Sequence, residues 1–362
     1  MRKVIIFMPS IEDGGVEKNL FLVANYLVKK IENLSLITIS KCYKKKFDKS
    51  IKFLSYKSDI WDKFPRRFKY FLSFILLLRE ILKDKKFIVF AFQANIYCII
   101  LCKIFNIKVI VRSNSAPAGW SKNFIKRLIF RFVLNKADKI IANSLEFINS
   151  LKKEFNVKAT CIYNPLNIDE IKKKSKFRAR KFYKNKNLKI LNIGRFTEQK
   201  DQMTILKALK KLNNKINFEA IIVGKGVLKQ SLNNFINQNN LANKIKLVNF
   251  LYNPYTIIKQ CDLFILSSKF EGLPNVLLES ICLDKFIISS NCPTGPKEIL
   301  LNGKGGLLFK TTNHNDLERK IIYYVKNKKK CKKMLDVAKK NLDRFDYNKN
   351  LFKYYKLIKS IS

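Results

Sequence analysis

Short apolar runs alternate with amphipathic helical stretches from one end of the chain to the other. The runs are rich in β-branched and aromatic residues and apolar on both faces, as parallel strands covered by helices must be. The stretches between them carry apolar residues at helical spacing, as between Val16 and Ile31. This alternation predicts an α/β protein with doubly wound parallel sheets. The predicted strands are Lys3–Met8, Leu34–Ser40, Phe87–Phe92, Lys108–Val111, Lys139–Ala142, Lys189–Ile193, Phe218–Val223, Lys246–Val248, Asp262–Leu266 and Phe286–Ser289.

The length of 362 residues predicts two domains of about 150–200 residues each. The boundary is predicted within residues 164–187, where a Tyr-Asn-Pro turn leads into a basic, weakly apolar stretch. We therefore expect a first Rossmann-like domain over residues 1–178 and a second over residues 179–345. A last helix is predicted at 348–361, after a break.

The formal net charge is +46, an excess that is spread almost evenly along the chain. Residues 1–181 carry a net +25 and the remainder +21, whereas a dedicated nucleic-acid patch would concentrate the charge. Lys, Asn, Ile, Phe and Tyr are all abundant, as an AT-rich gene encodes. This favours gene composition, rather than a binding partner, as the source of the excess positive charge. An anionic membrane surface is the next interpretation and nucleic acid the third. We predict no nucleic-acid partner.

Metal-binding patterns are missing from the sequence. The eight cysteines form no CxxC pair, His314 is the single histidine, and there is no Asp-x-Asp triplet. No cofactor and no metal are therefore predicted. No apolar run approaches the ~20 residues that span a bilayer, and the N-terminal run is short for a signal peptide. We expect a cytoplasmic protein, with a peripheral position on the inner face of the cytoplasmic membrane as the alternative.

Four clusters of glycines or charges directly follow predicted strands, at the edge where open parallel sheets bind ligands. Two of them are glycine turns, Gly14-Gly15 after the first strand and Gly224-Lys-Gly226 after Phe218–Val223. Glycines let a backbone approach a phosphate or sugar, and a helix N-terminus offers unpaired amides. An ordinary tight turn explains either cluster equally well.

The cluster from Gly194 to Lys200 follows the strand Lys189–Ile193 and precedes an amphipathic helix. Arg195 and Lys200 stand at the mouth of this strand–turn–helix unit, and Thr197 is the predicted N-cap. Two cations beside a helix N-terminus suit a diphosphate. The alternative is a pair of solvated charges in a lysine-rich protein.

The fourth cluster, Glu271-Gly272-Leu273-Pro274-Asn275 and onward to Glu279, follows Asp262–Leu266. Pro274 is placed to start a helix, which puts Glu271 in the loop and Glu279 about one turn inside. The two carboxylates are spaced to address different hydroxyl groups of one ligand. Alternatively, Glu271 is a helix-dipole partner and Glu279 a helix-surface residue, but Glu279 lies among apolar neighbours.

Taken together, these motifs resemble the family-four retaining glycosyltransferases of the GT-B fold. The resemblance rests on Glu-x7-Glu after Gly-Arg-x4-Lys, on Gly-Gly-Val-Glu and Val-Gly-x-Gly, and on CPTGPKEI and LNGKGGLLF. It is specific from 188 to 310 and looser before. It implies two Rossmann-like domains facing a cleft, the first on the acceptor side and completed by the C-terminal segment 346–362, the second binding a nucleotide sugar. Its members extend lipid-linked oligosaccharides or bacterial surface glycans, including lipopolysaccharide.

The resemblance also implies roles for individual residues. Arg195 and Lys200 would hold the leaving diphosphate, Glu271 the transferred sugar and Glu279 the ribose diol, with Gly14 and Gly15 facing the cleft. Many relatives carry a histidine near the sugar, in the loop after a strand that corresponds to KVIV. Here that loop reads Arg-Ser-Asn-Ser over residues 112–115, so Asn114 or Ser113 is expected near the sugar.

The predicted reaction is retaining transfer of a hexose or N-acetylhexosamine from a nucleotide sugar, with a UDP-sugar expected, to a lipid-linked or surface-glycan acceptor. Cations at the departing diphosphate stabilise its developing negative charge without a metal. A nucleotide-sugar epimerase on the same fold is the alternative function, and a nucleic-acid or anionic-surface binding protein is a remote one.

One further stretch interleaves basic and apolar residues, SKNFIKRLIFRFVLN at 121–135. A basic amphipathic helix of this kind can lie at an anionic interface. A core helix with a solvated face is the equal alternative.

Overall fold

The computed structural model describes residues 2–12, 14–114, 123–177, 181–184 and 186–362. It divides into two compact units, Met1–Pro165 with Tyr347–Ser362, and Leu166–Asp346. The division falls before the predicted boundary at 178/179, because helix Ile168–Ser175 packs on helices of the second unit. The C-terminal segment returns to the first unit, as expected from the family resemblance.

The first unit has a parallel sheet in the order β3-β2-β1-β4-β5-β6-β7. Its strands are β1 Lys3–Phe7, β2 Leu34–Ile37, β3 Lys52–Leu54, β4 Phe87–Ala91, β5 Lys108–Ser113, β6 Lys139–Ala142 and β7 Thr160–Cys161. Its helices are α1 Gly15–Leu27, α2 Arg66–Lys83, α3 Asn95–Ile104, α4 Phe124–Leu134, α5 Leu145–Phe155 and the C-terminal α14 Tyr347–Lys359. Short 3₁₀ turns stand at Lys41–Lys46 and Asp59–Lys63.

Two apolar cores cover the two faces of this sheet. Helices α1 and α14 pack on one face, where Leu20 and Tyr354 belong to the same cluster of buried residues. Helices α2, α3, α4 and α5 cover the other face, with Leu77, Cys98 and Val133 in one cluster. The doubly wound arrangement predicted from the apolar strands is confirmed.

The second unit has a parallel sheet in the order β10-β9-β8-β11-β12-β13. Its strands are β8 Leu188–Ile193, β9 Phe218–Val223, β10 Ile245–Val248, β11 Leu263–Leu266, β12 Phe286–Ser290 and β13 Leu307–Phe309. Its helices are α6 Ile168–Ser175, α7 Gln202–Leu212, α8 Lys229–Gln238, α9 Tyr255–Gln260, α10 Asn275–Cys282, α11 Pro296–Ile299, α12 His314–Lys326 and α13 Lys328–Lys340, with 3₁₀ turns at Leu301–Gly303 and Leu342–Phe345.

All ten predicted strands are present, within a few residues of the expected bounds. Strands β3, β7 and β13 were not predicted, because they are only two or three residues long and carry no full run of buried positions. Each lies at the edge of its sheet, where one side is unpaired.

The C-terminal helix is tied to the first sheet through a buried arginine. Arg112, at the end of β5, is fully buried, and its Nε donates to the Tyr354 hydroxyl at 2.9 Å. Its Nη2 donates to Asn164 Oδ1 at 2.6 Å, and its guanidinium lies 5.6 Å from the centre of the Phe92 ring. Its Nη1 is buried with no hydrogen-bond partner among the described residues, so this buried charge depends on the contacts that Tyr354 of α14 and Asn164 supply.

Candidate functional site

The loop after β8 is shaped by the two glycines after β9. Gly194 donates its N–H to the Val223 carbonyl at 2.9 Å, and Phe196 donates to the Lys225 carbonyl at 2.9 Å. A Cβ at Gly224 would lie 2.0 Å from the Gly194 carbonyl oxygen, and one at Gly226, where φ is +154°, would lie 2.4 Å from that of Phe196. The two predicted motifs are therefore one structure, and glycine is required for the loops to pack.

The helix after this loop begins later than predicted. Thr197 is not the N-cap: α7 starts at Gln202, and Asp201 precedes it with φ of 46°. An intervening turn is the reason, since the Thr197 carbonyl accepts from the Lys200 N–H at 3.0 Å and from the Asp201 N–H at 3.3 Å. The Thr197 hydroxyl is buried and has no hydrogen-bond partner among the described residues.

Lys200 and Glu271 form an ion pair at the carboxyl ends of the neighbouring strands β8 and β11. Lys200 Nζ donates to Glu271 Oε1 at 2.5 Å, with side-chain exposures of 19% and 8%. Ser268 donates its hydroxyl to the same oxygen at 2.6 Å, and Ser267 donates to the Lys200 carbonyl at 2.8 Å. Because both contacts fall on Oε1, Oε2 of Glu271 has no hydrogen bond to the described residues.

Arg195 is exposed, and its side chain makes no hydrogen bond or ion pair with the part of the chain that the structure describes. The backbone of the loop that carries it is fixed by Gln202, whose Nε2 donates to the Arg195 carbonyl at 3.1 Å. Gln199 Nε2 donates to the Phe270 carbonyl at 3.0 Å and so ties this loop to the one with Glu271. A fixed backbone thus presents a guanidinium that has no counter-ion among the residues that the structure describes.

The segment from Glu271 to Glu279 has the predicted form. Glu271 lies in the loop, Pro274 is the N-cap residue, and α10 begins at Asn275. Glu279 lies inside the helix and is 6% exposed, which excludes a helix-surface residue. Leu273 is also buried.

A fourth loop, after β12, supports this segment. Its residues belong to the motif CPTGPKEI, to which the sequence analysis gave no role. Gly295 has φ of +85°, and a Cβ there would lie 2.3 Å from the Gly272 carbonyl oxygen. Thr294 donates its hydroxyl to the Glu271 carbonyl. Burial raises the pKa of the neighbouring Cys292 thiol to about 12, with the Glu271 carboxylate adding to the rise and Lys200 opposing it. The signal for this loop was its place after a predicted strand.

The loops after β8 and β11 flank the point where the strand order of the second sheet reverses, and the loops after β9 and β12 follow the next strand on either side. That crevice at the carboxyl edge is the ligand position of doubly wound sheets. The structure therefore brings Gly194, Arg195, Lys200, Gly224, Gly226 and the segment from Glu271 to Glu279 to one edge.

The first-unit residues lie at the carboxyl edge of their own sheet. Gly14 is the N-cap of α1 and Gly15 its first residue; a Cβ at Gly14 would lie 2.7 Å from Glu17 Oε2. Asn114 follows β5 and donates to the Phe92 carbonyl at 2.8 Å, while its Oδ1 is buried without a partner among the described residues. Ser113 is buried with its hydroxyl likewise unpaired there. Residue 115 lies outside the described residues.

Comparison with known families decides what this architecture is. The model of Glycosyltransferase Family 4 matches residues 13–170, and that of glycosyl transferases group 1 matches residues 173–341. The chain belongs to the family-four glycosyltransferases of the GT-B fold. It is a transferase with two parallel-sheet Rossmann-like units, as the sequence motifs predicted.

Similar glycosyltransferases include two curated proteins and a solved structure. The chain is 27% identical, over 96% of both chains, to the N-acetylgalactosamine-N,N'-diacetylbacillosaminyl-diphospho-undecaprenol 4-alpha-N-acetylgalactosaminyltransferase of Campylobacter jejuni. It is 35% identical to an uncharacterized glycosyltransferase of Methanocaldococcus jannaschii over 56% of this chain, and the match spans about half, 53%, of that relative. The crystal structure of Anabaena HepE in complex with UDP superposes with a TM-score of 0.79 at 17% identity, covering 99% of this chain and 100% of that one.

Two further observations concern metal-binding groups and membrane-spanning helices. Among the described residues, no group of three or more His, Cys, Asp or Glu side chains is arranged to hold a metal ion. No helix within the described ranges has the length and apolar character needed to cross a bilayer.

Proposed function

We propose that this glycosyltransferase transfers a hexose or N-acetylhexosamine, with retention, from a UDP-sugar to a lipid-linked oligosaccharide or surface-glycan acceptor. The observation that carries the proposal is the pair of cations Arg195 and Lys200 on one loop at the switch point of the second sheet, with Lys200 paired to the Glu271 carboxylate. Support for the donor comes from HepE, which was crystallised with UDP, and for the acceptor from the Campylobacter relative, whose name specifies a diphospho-undecaprenol substrate.

The diphosphate of the donor binds the Gly194–Lys200 loop in this proposal. Arg195 has no counter-ion among the described residues and so is available to a phosphate, whereas Lys200 is held in place by Glu271. During transfer the bond between the anomeric carbon and the diphosphate oxygen breaks, and that oxygen gains negative charge. Fixed cations stabilise this charge more in the transition state than in the bound donor.

The sugar and the ribose use the two buried carboxylates. Glu271 keeps Oε1 for Lys200 and Ser268, which leaves Oε2 to accept a hydrogen bond from a sugar hydroxyl. Glu279, one turn inside α10, takes the ribose diol. The acceptor hydroxyl attacks the anomeric carbon from the side that the diphosphate leaves, and its proton passes to the departing phosphate oxygen. The products are the glycosylated acceptor and UDP.

Metal independence is part of the proposal. Arg195, Lys200 and backbone N–H groups of the loop stabilise the negative charge of the diphosphate, which a divalent cation would otherwise neutralise.

The acceptor side of the proposal includes contact with an anionic membrane. Helix α4 begins at Phe124, with residues 121 and 122 of the predicted stretch outside the described residues, and its apolar face is largely exposed. Only Val133 and Leu134 of α4 are buried. The exposed apolar side chains of α4 are Phe124, Ile125, Leu128, Ile129 and Phe132.

Neighbouring helices extend this apolar surface. Helices α2, α3 and α4 cover one face of the sheet side by side, and Phe74 of α2 contacts the ring of Tyr97 of α3. Exposed on their outer sides are Phe71, Leu82, Tyr97, Ile100 and Ile104. Exposed apolar area of this extent on a protein surface marks an interaction site. Lys126, Arg131 and Lys136 are exposed on or beside α4, which favours an anionic lipid surface.

A screen of nucleotide sugars tests the proposal. We expect UDP-sugars to raise the unfolding temperature of the wild type, and one of them to be consumed faster when a lipid-linked glycan is supplied. Glu271→Gln should lose transfer while still binding UDP, because it acts on the sugar. Isomerisation of a nucleotide sugar without any acceptor would contradict transfer and indicate an epimerase.

A further inference from the structure

A threonine in the loop after β12 has a backbone conformation that its side chain disfavours. Thr294 has φ of +61°, in the left-handed region that β-branched residues rarely adopt. It is 4% exposed, and the next residue, Gly295, also has a positive φ, of +85°. A buried residue keeps such a conformation only where its surroundings hold it there, and such residues cluster at functional sites. The contacts of Thr294 therefore point to its role.

The loop that contains Thr294 binds the backbone of Glu271 at both of its polar groups. The Thr294 hydroxyl donates to the Glu271 carbonyl. The Glu271 N–H donates to the Pro293 carbonyl at 3.3 Å. Two consecutive residues of the loop after β12 thus fix the backbone of the residue whose carboxylate pairs with Lys200.

A second hydroxyl, from the last residue of β12, holds the other end of the same turn. Ser290 is fully buried and donates to the Ser268 carbonyl at 2.7 Å. Ser268 is also fully buried and donates its own hydroxyl to Glu271 Oε1 at 2.6 Å. The turn from Ser268 to Glu271 is therefore bound at both ends by hydroxyl groups that follow from β12, and the Ser268 side chain links the two ends.

The direction of a carboxylate depends on its backbone as well as on its side-chain torsions. Lys200 and Ser268 restrain the Glu271 carboxylate through Oε1, whereas Thr294 restrains the main chain that carries it. Both restraints are needed, because a displacement of about 1 Å in a binding group can cost about 100-fold in rate. The Thr294 hydroxyl donates its proton to the Glu271 carbonyl, so its effect on a substrate passes through Glu271.

We propose that Thr294 is a positioning residue of this transferase, which uses a strained backbone to place the hydroxyl that holds Glu271 in position for the donor sugar. The inference rests on the proposed function, in which Glu271 Oε2 accepts a hydrogen bond from a sugar hydroxyl. Preorganisation of this kind acts on the transfer step. The affinity for UDP, which lacks the sugar, should not depend on Thr294.

The kinetic test is Thr294→Val, which removes the hydroxyl and keeps the size and β-branching of the side chain. We expect kcat with the best UDP-sugar to fall about 10- to 100-fold. The Kd for UDP, measured by calorimetry, should equal that of the wild type. Thr294→Ser keeps the hydroxyl and should recover most of kcat. A Thr294→Ser variant as slow as Thr294→Val would overturn the proposal.

Thr312 offers a matched control for the same substitution. It is also a threonine with positive φ, of +63°, but it is exposed, and its hydroxyl donates to the carbonyl of the adjacent Thr311 at 2.7 Å. Thr312→Val should therefore match the wild type in kcat and in UDP affinity. A fall in kcat equal to that of Thr294→Val would mean that the loss is not specific to the contact with Glu271, and would overturn the proposal.

Hydrogen exchange tests the hold on Glu271 without any glycosyl transfer. Exchange is followed by mass spectrometry on peptides that cover residues 268–275, in the absence of donor. These amides should exchange faster in Thr294→Val than in the wild type, Thr294→Ser or Thr312→Val, because a hydrogen bond that holds the turn is lost. Equal exchange in Thr294→Val and the wild type would overturn the proposal, whatever the activity of the enzyme.

The remaining outcomes separate this proposal from its alternatives. If UDP affinity falls as much as kcat in Thr294→Val, Thr294 supports the fold of the whole site, and the positioning role is wrong. If exchange rises while kcat stays at the wild-type value, the role is also wrong. If the wild type consumes no UDP-sugar and the exchange difference persists, the hold on Glu271 stands and the proposed transfer alone is contradicted.

Discussion

Lys200 Nζ lies 2.5 Å from Glu271 Oε1, in a pair whose two side chains are 19% and 8% exposed. The two residues are 71 positions apart and come from loops after adjacent strands. From the sequence they were separate candidates, one for the diphosphate and one for the sugar. Their contact means that a change at either one alters the charge balance of both.

Substitution of Lys200 should therefore reduce stability as well as activity. The sequence alone predicts that Lys200→Ala leaves the fold intact, but the pair implies a loss of about 3–5 kcal/mol in unfolding free energy, because Glu271 is left as a buried, unpaired charge. Denaturant unfolding measures this loss. The double variant Lys200→Met with Glu271→Gln should recover most of the stability and none of the transfer. A double variant as unstable as Lys200→Ala would contradict this account of the pair.

Arg195 offers the cleaner test of the phosphate site. It is exposed and has no counter-ion among the described residues, so Arg195→Ala should unfold like the wild type. We expect kcat to fall about 100- to 1000-fold, since one donor to the leaving diphosphate is lost. Lys210→Ala on the exposed face of α7 is the matched control and should be nearly silent. Equal activity of the two variants with every nucleotide sugar would remove the proposed clamp.

Activity should survive exhaustive chelation. The proposed clamp uses side chains and backbone N–H groups, so turnover in excess EDTA should match turnover without it. The measurement is the initial rate with the best UDP-sugar after dialysis against chelator, with magnesium or manganese added back. A rate that is lost in EDTA and restored by manganese would refute metal independence.

Membrane binding should depend on the outer face of α4. We expect the wild type to sediment with anionic vesicles at low salt and to be released as salt is raised, because each Lys or Arg near the surface contributes about 1 kcal/mol. Ile129→Glu with Phe132→Glu should lower the bound fraction sharply. Phe352 is also an exposed aromatic residue, but it lies on α14 at the opposite face of the sheet. Phe352→Glu should therefore bind the vesicles like the wild type. If the wild type does not bind anionic vesicles, the proposed membrane contact is wrong.

Local sequence determined the central strands and the motif loops of this protein. A buried parallel strand is apolar on both faces, and a loop that follows it lies at the ligand edge, so both are readable from consecutive residues. The loops at Gly194 and Glu271 were located in this way. The N-cap at Asp201 was not, because an extra turn closed by backbone hydrogen bonds leaves no side-chain signal.

Only the tertiary structure decided which distant side chains meet and which charges are buried. No sequence pattern singled out Lys69 or Arg66, yet Lys69 is buried with its ammonium 3.4 Å from the Ser40 hydroxyl, whereas Arg66 is exposed. Likewise, Arg112 was expected in the loop after a strand, whereas it lies within β5, and its bond to Tyr354 depends on a helix that returns 242 positions later. Periodicity reports the face of an element that is apolar, whereas the depth of a single polar residue depends on what packs over it.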